Sequence, residues 1–496
     1  MAVKVDTQKE IIFGSSNPNI SRVISKKEKD GELRKLAPRI YTTNLIDSPA
    51  NIVRRNLIEI LAYRYPNALI SHRSAKEMRP TSTGDFFLTN STTRRVTDLP
   101  GIILNFVKGP KATAHDIPFM GIHISGEHRY MLENMQLSRK SGDESRVLPI
   151  SVIENKLEQL LLTGGEERLT QYRDELREVA NELGMADEFS KINNIISALL
   201  STHDARVLST DSAKARASGN PFDANRVGLF EILFDTIKDR YFVIRNNRNT
   251  EEDSFRLFSF FESYFSNYIE GTEFDIEEAK EIVDSGIPMP RRDEDSHDIL
   301  GTFKILSNRT EMRRVPTSPE ELFAILSHRH TILLEGRPHM NPGVFKMRNN
   351  RAGQTEFVDY QLVKGTLSQG FKYYSALTDP FARAIFMMFM ISEVHPFNDG
   401  NGRIARVMMN AEFVRADQSR IIVPTVFRED YILALRKLTR HKDPMAYINV
   451  MTKLHQFSDN LYGSDFTELK NYLAACNAYE EPSQAKLQII DRSIRH

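Results

Sequence analysis

Between Phe381 and Val394 the chain places an apolar residue at nearly every position, interrupted only by Arg383, Ser392 and Glu393. A helix that is apolar all round has no face to give to water, so it belongs at the centre of a domain with other helices packed about it. Asp379 and Pro380 suit its N-cap and first turn, and Pro396 prevents its continuation. Asp399 to Gly402 then supply a glycine-rich turn that leads straight into a second helix, Arg403 to about Val414. The expected fold class is therefore mainly α, at least around this pair of helices.

The turn is also where chemistry is expected. Glycine permits positive φ and close approach of a ligand, so several backbone N–H groups of such a turn can converge on one oxyanion, and the N-terminus of the following helix adds to the attraction. Arg403 and Arg406 are spaced to project from one face of that helix as two cationic clamps for phosphate oxygens. Asp399 offers a carboxylate of the kind that holds magnesium between phosphates, and His395 is the side chain at the lip that titrates near neutrality. Each part alone is ordinary in a structural role. Base, acid, anion nest and two clamps in one short run, His395 to Arg406, point to phosphoryl chemistry.

Around this core the chain reads as several segments. Residues 1–150 suggest a small mixed α/β domain, with helical periodicity over Asn51 to Arg64 and a β-hairpin over Leu33 to Thr43. Residues 151–250 read as a helical connecting region, with helices over Val152 to Leu162 and Glu166 to Leu183 and Gly184 as a stop. The polar string Arg245 to Asp253 reads as a linker, residues 251–461 as one helical domain, and residues 462–496 as a tail.

The stretch His395-Pro-Phe-Asn-Asp-Gly-Asn-Gly-Arg-Ile-Ala-Arg406 resembles, at every specified position, the Fic-domain motif His-Pro-Phe-x-(Asp/Glu)-Gly-Asn-Gly-Arg-x-x-Arg. The resemblance implies an all-helical core with a β-hairpin flap, and transfer of AMP from ATP to a Ser, Thr or Tyr hydroxyl of a protein, the enzyme itself among the targets. It implies that His395 is the base and that Asp399 holds Mg²⁺. Gly400, Asn401 and Gly402 would form the anion hole, Arg403 would bind the outer phosphates, Arg406 the γ-phosphate, and buried Phe397 would anchor the loop. Tyr431 corresponds to an adenine contact. The flap, which pairs with an extended piece of target, falls in Gly343 to Asp359, with Asn349, Asn350 and Gly353 at its turn and Thr355, Glu356 and Phe357 nearest the target.

Ser266-Asn-Tyr-Ile-Glu270-Gly271 resembles the inhibitory-helix motif of the same family, Ser/Thr-x-x-x-Glu-Gly. Ser266 and Glu270 lie one turn apart, Gly271 ends the helix, and Glu270 is implied to occupy Arg406 in place of the γ-phosphate. Some relatives use this glutamate to remove AMP, and others transfer UMP, phosphocholine or phosphate. Gly31 to about Arg146, through Leu36 to Tyr41, Ile70 to Ala75 and Tyr130 to Asn134, resembles the AbiEi-type antitoxin and transcriptional-regulator domain, which implies DNA as a partner and a winged-helix-like arrangement. The basic residues Arg22, Lys26, Lys27, Lys29, Arg34, Lys35 and Arg39 would serve it, or form an ordinary solvated face.

Composition narrows the partners. Lys+Arg and Asp+Glu balance at 66 each, so no global field draws the protein to nucleic acid or to an anionic membrane. Cys476 is the only cysteine, which excludes an internal disulfide and a cysteine zinc site. Met1 to Gly14 lacks a leader's apolar run and no stretch approaches the ~20 apolar residues that span a bilayer, so the expectation is a cytoplasmic protein. The Ser327-His-Arg-His330 histidines lack a third ligand and are not expected to hold a metal.

Overall fold

The computed structural model describes residues 9–200, 205–353 and 355–492. The first eight residues, on which part of the reading of the N-terminus rests, lie outside the described residues. The chain divides into two compact units, residues 1–218 and 219–496.

In the first unit the expected hairpin is present as strands Arg34–Ala37 and Ile40–Thr42, and Ile11–Phe13 pairs with the second of these to make a three-stranded sheet. The helical stretch expected over Asn51 to Arg64 forms as two pieces, Pro49–Arg55 and Leu57–Arg64, parted at Asn56. A second, six-stranded sheet runs in the order Arg94–Leu99, Ile102–Lys108, Asp85–Asn90, Leu69–Ile70, Ile122–Ile124 and Ile117–Phe119. Its strands mix parallel and antiparallel pairing. Behind it, Arg129 is fully buried and satisfied by Asp116 at 2.8 Å and Glu133 at 2.9 Å, a closed ionic pair of contacts that needs no ligand.

The helices expected over 152–162 and 166–183 form, meeting at Gly165, whose φ of 69° breaks the helical path, and ending at Gly184 in the left-handed conformation. Ile153, Leu157, Leu169, Tyr172 and Leu176 join the same buried core as Ile60, Phe86 and Leu104. The stretch read as a connecting region is thus split: helices up to Ala217 complete the first unit, while helix Ala224–Ile237 belongs to the second. Amphipathic periodicity reveals a buried face but not which core buries it.

The second unit is built on the helix predicted to be central. Pro380–Val394 is buried along its length apart from Pro380, Arg383 and Ser392, and helices Asn401–Arg415, Val363–Ala376 and Ala224–Ile237 pack against it. Asp379 caps it, its side chain accepting the Ala382 N–H at 2.9 Å. The polar string 245–253 is not a free linker. Asn247 N–H donates to the Asp417 carbonyl, Ser419 N–H to the Arg245 carbonyl, and buried Asn249 donates to the Leu461 carbonyl. Two main-chain bonds and one asparagine side chain here satisfy backbone groups that regular structure would otherwise pair.

Residues 462–492 are likewise built in. Helix Phe466–Ala475 sets Phe466 against Phe260 and Phe261, and Tyr479 stacks on Phe265, so this segment braces helix Glu252–Ile269 on its aromatic side. Among the described residues no helix is long and apolar enough to cross a membrane.

Candidate active site

The central helix stops one residue before Pro396. His395 takes a left-handed φ of 52° as the C-cap, and its backbone N–H still closes onto Ile391. A non-glycine residue held there is strained, and the strain turns the imidazole out of the helix toward a cavity of about 450 Å³. His395 Nδ1 lies 3.2 Å from the Ser392 carbonyl. A carbonyl only accepts, so Nδ1 carries the hydrogen and the neutral ring leaves Nε2 free to take a proton. Burial above all, with the Lys346 ammonium adding to it, pushes the imidazole pKa down to about 4. At neutral pH the ring is therefore an uncharged base.

Two aromatic stacks hold the loop. Phe357 lies flat on His395, ring centroids 3.6 Å apart, and Phe397 lies flat on His330 at 3.7 Å. His330 Nδ1 accepts from Gly343 N–H at 2.8 Å, so its Nε2 donates to the Asp399 carbonyl at 3.0 Å. Asn401 closes the turn on itself, its amide accepting from Phe397 N–H at 2.8 Å and donating to the Phe397 carbonyl at 2.9 Å. With those partners taken, what Asn401 can offer an anion is its main-chain N–H. Gly400, at φ 71°, is the N-cap of helix Asn401–Arg415, so the N–H groups of Asn401, Gly402 and Arg403 are the first-turn donors that have no partner within the helix.

Opposite this turn stands helix Glu252–Ile269. Arg406 donates through Nε to Ser266 Oγ at 2.9 Å and through Nη2 to the Ser266 carbonyl at 2.9 Å and to Glu270 Oε1 at 2.7 Å. Burial alone would raise the Glu270 carboxyl, but the Arg406 guanidinium outweighs it and holds the group below the usual carboxylate range. Gly271 follows at φ 92°, ending the helix in a conformation that favours glycine. Gly402 lies directly under the inhibitory-motif glutamate: a Cβ there would lie 2.2 Å from Glu270 Oε1 and could be accommodated only by moving that carboxylate. His395, Asp399, Gly400, Gly402, Arg406, Glu270, Thr355, Phe357 and Tyr431 all line the one cavity.

Residues 318–412 match the Fic/DOC family. They form a Fic domain. Over 115 residues the chain is 30% identical to Protein adenylyltransferase fic-1 of Caenorhabditis elegans, covering 23% of this chain and 22% of that protein. A Fido domain-containing protein of Dictyostelium discoideum is 28% identical over 107 residues, 21% of this chain and 75% of its own. Protein adenylyltransferase Fic of Nematostella vectensis is 24% identical over 40% of this chain and 47% of its own. Apart from the Dictyostelium protein, the chain thus spans less than half the length of these relatives. A solved fragment of Fic-1 from C. elegans superposes with a TM-score of 0.36 and 16% identity over 66% of this chain and 92% of the fragment.

Within the Fic domain two of the expected placements differ. Arg403 is not on the cavity wall: it is 3% exposed, with Nη1 2.7 Å from Asp298, and Arg337 shares that carboxylate at 2.8 Å. Helical spacing puts Arg403 and Arg406 on one side, but it cannot foresee an acid from a distant helix that draws one of them aside. The flap hairpin is shorter than expected, with strands Arg351–Ala352 and Thr355–Glu356 and Gly353 at the turn. Asn349 and Asn350 are anchors instead. Asn349 donates to Asp359 at 2.8 Å and Asn350 to the Phe397 carbonyl at 2.9 Å.

Lys346 and His330 were not foreseen as part of the site. Buried Lys346 donates to Asn350 at 2.7 Å, and its N–H to the Pro396 carbonyl at 2.8 Å, tying the flap root to the motif loop. A buried lysine beside a polar run gives no signal in the sequence. Tyr431 is buried, its hydroxyl 3.7 Å from Met388 Sδ, so its ring reaches the cavity as wall.

The close seat of Gly402 against Glu270 gives a coupled prediction. Gly402→Ala is expected to push the Glu270 carboxylate off Arg406, lowering thermal stability by about 1 kcal/mol or less through the lost ion pair. In the Glu270→Gly protein, which already lacks that pair, the same change is expected to cost little, a non-additivity that thermal denaturation of the four proteins would measure.

Proposed function

We propose that the protein transfers AMP from ATP to a Ser, Thr or Tyr hydroxyl of a protein, and that Glu270 restrains the reaction. One observation carries the reading: a neutral histidine with Nε2 free, a turn of first-turn N–H donors, and an arginine held by a displaceable glutamate open onto the same cavity. The target hydroxyl gives its proton to His395 Nε2 as its oxygen bonds to the α-phosphorus. The bond from that phosphorus to the bridging oxygen breaks, and pyrophosphate leaves with the electron pair. The turn N–H groups stabilise the charge on the phosphate oxygens, and Arg406, once freed from Glu270, takes the γ-phosphate.

A magnesium ion fits one position here. Asp399 accepts from Gly400 N–H through Oδ1, and its Oδ2, 3.7 Å from Arg403 Nη2, is a hard oxygen ligand on a side chain that is 39% exposed. Magnesium commonly takes one or two carboxylates and completes its shell with phosphate oxygens and water; bound there, it would neutralise phosphate charge.

Adenylyl transfer is tested with ATP labelled at the α- or the γ-phosphorus. Protein should gain label from the first and none from the second. Label from γ alone would show phosphate transfer instead. A second expectation concerns pH. Because His395 is the base only when neutral, the low pKa keeps it competent in acid, so the acidic limb of kcat/KM should be centred at about 4. A limb near 6.5, the ordinary imidazole value, would place the base elsewhere.

We also propose that the first unit contacts DNA. Helix Pro18–Lys29 exposes Arg22, Lys26 and Lys29, and the hairpin that follows exposes Lys35 and Arg39. A gel shift that weakens steeply with salt supports this, and none at low salt removes it.

A further inference from the structure

We infer that the target enters the cavity as an extended segment with acidic residues beside its hydroxyl, read by Arg351, Arg436 and Arg440. The inference rests on the proposed transfer to protein and adds the charge of the sequence recognised. Arg436 and Arg440 lie one turn apart on helix Arg428–His441, so they project from the same face. Both are exposed and both line the cavity that holds His395. Arg351 lines it from the flap strand Arg351–Ala352, and Arg440 reaches the flap as well, donating to Thr355 Oγ1 at 3.1 Å.

The charges around these arginines are unequally matched. Among the described residues, none of the three forms an ion pair with a carboxylate. The acids on the cavity wall are engaged elsewhere: Glu270 by Arg406, Glu393 by Arg226 and Thr439, and Asp399 by Gly400 N–H. Glu356 stands opposite Arg351 in the hairpin register without forming an ion pair with it. The mouth therefore keeps positive charge in a chain whose formal net charge is zero. The phosphates have their own partners in Arg406 and the turn N–H groups, so the three arginines are left for the other substrate. A strand added along the flap would carry alternate side chains toward helix Arg428–His441, where carboxylates meet Arg436 and Arg440.

The test is direct binding followed by fluorescence anisotropy, which does not depend on turnover. The probes are fluorescein-labelled peptides with one central threonine, flanked on both sides by glutamate, by glutamine or by lysine. The protein is the full chain, as wild type, Glu270→Gly and Glu270→Gly with Arg436→Gln and Arg440→Gln. The glutamate peptide is expected to bind Glu270→Gly about tenfold more tightly than the glutamine peptide, the sum of two or three exposed ion pairs. Added salt and the paired arginine changes should each remove that preference.

Equal binding of the three peptides, or binding of none, overturns the inference. So does a preference that survives the arginine changes. If those changes weaken ATP binding instead, the arginines serve the nucleotide and the inference fails. Failure of adenylyl transfer itself would appear separately, as absence of α-phosphorus label in protein.

Discussion

Replacing Glu270 with glycine should raise incorporation of α-phosphorus label into protein by on the order of 10–100-fold, the range of a coupling of ~1–3 kcal/mol. Glu270 Oε1 sits 2.7 Å from Arg406 Nη2 and against the face of Gly402, 2.2 Å from where a Cβ would stand. It thus covers both the cation and the turn that a triphosphate needs. One guanidinium cannot hold the carboxylate and the γ-phosphate in the same place, so in the proposed reaction ATP would have to displace a short ion pair before it could align. Removing the carboxylate removes that competition. Ser266 remains on Arg406 through two hydrogen bonds, so the arginine keeps its position when the glutamate is gone. The side chain of Glu270 is about a third exposed, 34%, which lets a ligand or a partner reach it from the cavity side. Labelling of a cell lysate by wild type and Glu270→Gly at equal protein concentration measures the effect.

Replacing His395 with alanine should lower the activity of the released enzyme by roughly 10²–10⁴-fold, the usual contribution of a positioned general base. The ring has three constraints: a left-handed backbone, a hydrogen bond that fixes the tautomer, and the Phe357 stack. The hydrogen bond and the stack are lost with the ring. The fold should survive, because Phe397, Asn401 and His330 hold the loop without help from His395. Circular dichroism and thermal denaturation of the variant should therefore stay close to the parent while label is lost.

How much of this was legible in the sequence depended on where the partners lie. The central helix could be read because its apolar surface leaves one physical solution, and the turn because glycine and proline punctuate it. Glu270 and Arg406 lie far apart in the chain, and their pairing was accessible only through the two motifs that contain them. Where no motif spoke, distant partners decided the outcome. Asp298 draws Arg403 off the cavity wall, and no local pattern connects these two residues.

His330 was read as one half of a poor metal site. It is a loop anchor, because Gly343 and Asp399 come to its two nitrogens only when the chain has folded. The polar string 245–253 has the composition of a linker, yet its asparagines bond to segments around 417–419 and 461. Composition reports solvation in the unfolded chain. It does not report which backbone groups a side chain will satisfy.

The proposed function requires His395 and Glu270 to act on one reaction in opposite directions. The most direct measurement is incorporation of label from α-³²P-ATP into lysate proteins by wild type, Glu270→Gly, and Glu270→Gly with His395→Ala. The expected outcome is little label, then strong label, then loss of nearly all of it. Strong labelling by wild type equal to that of Glu270→Gly, or label that persists without His395, would contradict it.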